Sequence, residues 1–62
     1  MKAFDNLRKK YPDWTMYIMR TANIRHYVAT KTINGVFTRL INTDIDELET
    51  SIKGKLYDNS RD

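Results

Sequence analysis

The sequence predicts a small α+β domain: a three-stranded antiparallel meander with one helix before it and one after it, in the order α-β-β-β-α. Three observations carry this. Asn42 to Tyr57 (NTDIDELETSIKGKLY) has the caps, charge order and apolar spacing of an amphipathic helix. Asn34-Gly35 lies between two β-type runs, the strongest short-range hairpin signal, because both residues accept the positive φ of a type I′ turn. The chain has 62 residues and no cysteine. It therefore makes one small domain without disulfides or a thiolate metal site, and its net stability is about 3–5 kcal/mol.

The elements follow in order. Residues 2–11 form a short amphipathic helix in which Phe4, Leu7 and Tyr11 share a face, with Arg8, Lys9 and Lys10 at its C-terminal end. Pro12 cannot continue that helix, and Pro12-Asp13 reads as a turn. Residues 14–20 (WTMYIMR) form a first strand, rich in side chains that suit a pleated surface. Thr21-Ala22-Asn23 is the expected turn. Residues 24–33 form the second strand and residues 36–41 the third. The closing helix spans residues 44–57, with Asn42, Thr43 and Asp44 as N-cap candidates and Glu47 placed as in a capping box. Its stripe is Ile45, Leu48, Ile52 and Leu56. Asp44, Asp46, Glu47 and Glu49 crowd its start, while Lys53 and Lys55 lie near its end, an order that complements the helix dipole. Gly54 reads as a late-helix glycine or a C-terminal residue. Residues 58–62 are expected as a frayed tail.

The Asn34-Gly35 turn sets a register. Ile33 pairs with Val36, Lys31 with Thr38, Ala29 with Leu40, and Val28 with Ile41. An even-numbered first loop then adds Trp14, Met16 and Ile18 to the face of Tyr27, Ala29 and Leu40, and places Tyr17 and Met19 opposite, with Val28, Phe37, Arg39 and Ile41. It also sets Arg20 against Arg25, an unfavourable like-charge pair. A three-residue loop removes that clash but takes Ile18 off the patch. The even loop is preferred for the apolar patch it makes for the closing helix. Whether the first helix lies beside the closing helix or covers the second sheet face stays open.

The net charge of +3 is unevenly placed. Residues 1–41 hold eight Lys or Arg against Asp5 and Asp13, and residues 42–62 hold three against six acids. The basic part is the first helix and the strands, a distribution that favours polyanions. No apolar run approaches the roughly 20 residues of a membrane span, so no membrane partner is expected. The segment MKAFDNLRKK lacks a signal-peptide apolar region, and a cytoplasmic location is expected.

Catalysis is not expected. His26 is the single histidine, Ser51 and Ser60 are the only serines, and no triad pattern commits them to one another. The acids of the closing helix lack the calcium-loop pattern and serve capping instead. No metal and no cofactor is expected. Binding remains: double-stranded DNA is the favoured reading, and a protein partner or a second copy is the alternative. Double-stranded DNA would be met by Tyr17, Arg20, Arg25, Lys31, Phe37 and Arg39, the cations on phosphate or base edges and the aromatics on sugars or bases. A protein partner or a second copy would be met by Tyr17, Met19, Phe37 and Ile41, on a sheet face left uncovered. Oligomeric state is not readable from the pattern.

Trp14 opening a strand, then Tyr27-Val28-Ala29, then Asn34-Gly35, then Thr43 to Ile52 resembles in element order the small sheet-type DNA-binding domains of phage and transposon integrases. The N-terminal helix departs from that order. The resemblance implies DNA binding through the sheet and a phage or mobile-element origin. Small size without catalytic apparatus equally fits a phage-type inhibitor that binds a host protein.

Overall fold

Neither helix can bury its stripe alone, and the sheet offers one continuous apolar face to both. The computed structural model describes residues 2–61 in backbone and 2–55 in side chain. The elements are α1 (Lys2–Lys10), β1 (Thr15–Thr21), β2 (Ile24–Ile33), β3 (Val36–Asn42) and α2 (Ile45–Arg61). The sheet is antiparallel, in the order β1-β2-β3. The α-β-β-β-α order is therefore as the sequence predicts.

Both hairpins have two-residue loops. In the second, Asn34 and Gly35 take φ of 51° and 82°, and Ile33 pairs with Val36. In the first, Ala22 and Asn23 take φ of 50° and 66°, and Thr21 pairs with Ile24. Thr21, expected in the turn, is the last residue of β1. The even loop is thus the observed one, and Arg20 does face Arg25. β1 begins one residue later than expected because the Trp14 amide still bonds the Tyr11 carbonyl, at 3.2 Å. That bond holds the chain in the turn after Pro12.

The core lies on one side of the sheet. Phe4, Leu7, Trp14, Met16, Tyr27, Ala29, Leu48 and Ile52 form one buried cluster, with Tyr11, Ile33, Leu40 and Ile45 packed at its margin. The Phe4 and Tyr27 rings lie 5.5 Å apart. α1 therefore sits beside α2 on the same face, and among the described residues no helix lies over the second face.

α2 starts as a capped helix, with one difference from the predicted cap. Asp44 Oδ1 accepts from the amides of Asp46 at 2.8 Å and Glu47 at 3.3 Å, which makes Asp44 the N-cap. The Asp44 amide is taken by Asn42 Oδ1 at 2.9 Å, so Asn42 fills the reach-back role that a capping box gives to Glu47. At the other end α2 runs to Arg61, past Tyr57. Residues 58–61 of the segment expected as a tail are helical, and Asp62 lies outside the described residues: the chain has no proline after Pro12, and Gly54 is absorbed inside the helix. Leu56, predicted for the stripe, lies outside the described side chains.

Candidate functional site: the open face of the sheet

Strand alternation decides what the uncovered face carries. Direct pairs share a face, so Tyr17, Val28 and Ile41 form one row across the sheet. Met19 with His26, Thr21 with Ile24, and Thr32 with Phe37 complete the same side. Four large apolar side chains there are well exposed: Phe37 at 67%, Ile24 at 52%, Tyr17 at 43% and Ile41 at 42%. Val28, at the centre, is fully buried yet stands outside the core cluster. Its neighbours in the sheet shield it. Of all strand positions on this face, Arg39 alone carries a formal charge at neutral pH. Among the described residues, no ion pair or hydrogen bond engages its side chain. The result is an apolar platform with one cation, bordered by the hydroxyls of Thr15, Thr30 and Thr32.

The six residues expected to meet DNA do not form one group. Tyr17, Phe37 and Arg39 lie on the open face, while Arg20, Arg25 and Lys31 lie on the helix side. Arg20 and Arg25 are brought together, opposite one another and exposed, at the Ala22-Asn23 end. Lys31 is near the other end, its Nζ 6.0 Å from the Trp14 ring, where it caps the core. The four residues expected to meet a protein, Tyr17, Met19, Phe37 and Ile41, all lie on the open face. The sequence patch omits Ile24. The signal for it was the alternation itself, since Ile24 is four residues before Val28 on the same strand.

The helix side is held by a polar clamp. Glu49 Oε2 accepts from the Tyr11 hydroxyl at 3.0 Å and pairs with Lys10 Nζ at 2.7 Å. Lys53 lies 3.9 Å away. The Lys10 ammonium first, then the Tyr11 hydroxyl, holds the Glu49 carboxyl below its ordinary pKa. Glu49 in turn raises Lys10, and desolvation followed by Glu49 raises Tyr11. These groups join α1 to α2, and their partners account for them structurally. Among the described residues no group of three or more His, Cys, Asp or Glu side chains could hold a metal ion. None of the described helices is long and apolar enough to cross a membrane.

No protein-family model matches the chain, and no curated protein or solved structure is found to match it. The class that fold and surface define is a small α+β domain with one bare sheet face.

Proposed function

We propose that this protein is a non-enzymatic binding module whose open sheet face docks another protein. The observation that supports this is the composition of that face: exposed Tyr17, Ile24, Phe37 and Ile41 around a single cation, Arg39. A surface that apolar and that poor in charge suits the desolvated centre of a protein interface, where aromatics are enriched and charges depleted. Charge complementarity defines the partner further. Its matching surface is apolar and carries one carboxylate against Arg39. A cytoplasmic location goes with this reading, since a chain without cysteine is suited to a reducing compartment.

Double-stranded DNA is the second reading. It is favoured by the exposed Arg20–Arg25 pair, together with Tyr17, Phe37 and Arg39 on an accessible sheet. A sheet that enters the major groove needs cations on the surface that faces the bases and phosphates. Here Arg39 is the one cation on the open face, and the Arg20–Arg25 pair is on the other. That division places the DNA reading behind the protein one.

One experiment separates them. The purified protein, its Phe37→Thr variant and an Arg20→Ala/Arg25→Ala variant are each tested by pull-down from lysate and by titration with oligonucleotide at two salt concentrations. The expected outcome is specific capture of a protein, lost in Phe37→Thr and retained in the double variant. Oligonucleotide binding that weakens steeply with salt and needs the two arginines would instead establish the DNA reading.

A further inference from the structure

The sheet has two free edges, and both are seven-residue strands, β1 and β3. Each type I′ turn closes with a hydrogen-bonded pair, Thr21 with Ile24 in one and Ile33 with Val36 in the other. Alternation then assigns every other backbone group. Along β1, Thr15, Tyr17 and Met19 bond inward with Thr21, and the amides and carbonyls of Met16, Ile18 and Arg20 point out. Along β3 the outward residues are Phe37, Arg39 and Ile41. Among the described residues, no backbone bond outside the sheet ladder and the helices engages either edge. Unpaired edges are templates for another strand unless something blocks them.

The two edges differ in what a second copy would meet. Antiparallel pairing of a strand with its own copy, at full overlap, puts the central residue opposite itself. For β3 that residue is Arg39, and like charges directly opposite are unfavourable. For β1 it is Ile18, a 40% exposed apolar residue. The same register sets Tyr17 against Met19 of the copy, Thr15 against Thr21, and Met16 against Arg20. Across the two strands no two like charges are directly opposed, and the copy's Arg20 reaches Met16 beside Asp5 as well as Arg8 and Lys9. Access is also open at the start of this edge, where a groove of about 610 Å³ lies between α1 and the strand, with Thr15 and Met16 on its lining.

We infer that β1 is a self-pairing edge: two copies join antiparallel about Ile18 into one six-stranded sheet, with all helices on one side. The open faces of the two copies then run together, and Tyr17 and Met19 of both meet at the centre of a doubled apolar platform. This assembly uses the edge, and it stands or falls independently of what the face binds. Seven paired residues make a contact about 24 Å long, smaller than the interfaces of permanent dimers. The dimer is therefore concentration-dependent.

The test is backbone amide exchange and solution mass, followed across protein concentration at physiological ionic strength. The amides of Met16, Ile18 and Arg20 should gain protection as concentration rises, while Phe37, Arg39 and Ile41 stay exchangeable. The mass should move toward twice the 7.4 kDa of one chain. Ile18→Lys should weaken association by about tenfold or more, because it opposes two cations at the axis. Ile18→Pro removes only an outward donor, which edge strands tolerate, and should also give a monomer. The exchange measurement on the unaltered protein decides the matter even where a variant fails to fold. Free exchange of the three β1 amides at every concentration overturns the inference. So does protection at β3 instead, a dimer that survives both Ile18 variants, or β1 protection that appears only when a foreign peptide is added.

Discussion

Along β2 the two sheet faces alternate residue by residue, and their fates diverge. Tyr27 and Ala29 lie under the helices at 6% and 0% exposure. Ile24, on the other side, is 52% exposed, and Val28 is fully buried yet stands outside the core cluster. The covered face takes its order from nonlocal packing, with Phe4 and Leu7 arriving from α1 and Leu48 and Ile52 from α2. The open face carries side chains of similar hydrophobicity that stabilise nothing beyond the strands. Hydrophobic content does not separate the core from the open face here. What separates them is which face both helices share.

The largest effect should come from the covered face. Ile52 is fully buried against the sheet. Ile52→Ala should cost about 2–5 kcal/mol in lost transfer energy and residual cavity. In a domain with only about 3–5 kcal/mol to lose, that brings the net stability close to zero, so the melting temperature should fall sharply, and far-ultraviolet circular dichroism will read it directly.

The division between faces depends on register, and register depends on the two turns. Asn34-Gly35 is well matched to its backbone, whereas Ala22 holds φ of 50° with a Cβ in the way. Ala22→Gly should therefore stabilise by about 0.5–1 kcal/mol, the relief of left-handed strain less the added chain entropy. A denaturant midpoint that rises without a change in slope checks this. A fall would mean that the first loop is not set by this turn, and with it the assignment of Tyr17 and Met19 to the open face.

A smaller effect ties the helices to each other. Glu49 is depressed below its ordinary pKa, so its contribution to stability is present above the ordinary, unfolded carboxylate value. It is lost as pH falls through the lower folded value. Lys10 and Tyr11 are raised, so theirs is present below their unfolded values and lost as pH climbs through the folded ones. Solvent access to Lys10 and Lys53 keeps the effect modest and salt-sensitive. Glu49→Gln should flatten the acid limb of the stability profile, measured by thermal melts between pH 3 and 7, a window of about these values.

Much of this was legible in the sequence, for local reasons. Asn34-Gly35 demands one backbone conformation, and period-two alternation then sorts every strand residue. That is why Tyr17, Met19, Phe37 and Ile41 fall together as expected. The position of α1 was not legible, because the stripe of Phe4, Leu7 and Tyr11 fits either sheet face equally well. What holds it is distant in sequence: Phe4 and Leu7 join Tyr27, Leu48 and Ile52 in one buried cluster, with Glu49 receiving Lys10 and Tyr11 beside it. The openness of the second face was hidden for the same reason. So was the cap exchange at Asp44, since Asn42 and Glu47 compete for one amide and only geometry decides between them.

The smallest stability effect belongs to Phe37, and it is the most informative. At 67% exposure on an edge strand, its ring contributes little to the fold. Phe37→Thr keeps a β-favouring residue and should change stability by no more than about 0.5 kcal/mol. The proposed partner should nevertheless lose most of its affinity, because a truncated aromatic anchor at an interface centre commonly costs about 2 kcal/mol or more. Equilibrium unfolding and partner titration on the same preparation give both numbers. A large stability loss would mean that Phe37 is packed and the face is not bare. Unchanged stability with unchanged binding would leave an exposed phenylalanine with no role in fold or recognition, and the contrast between the two faces would then say nothing about function.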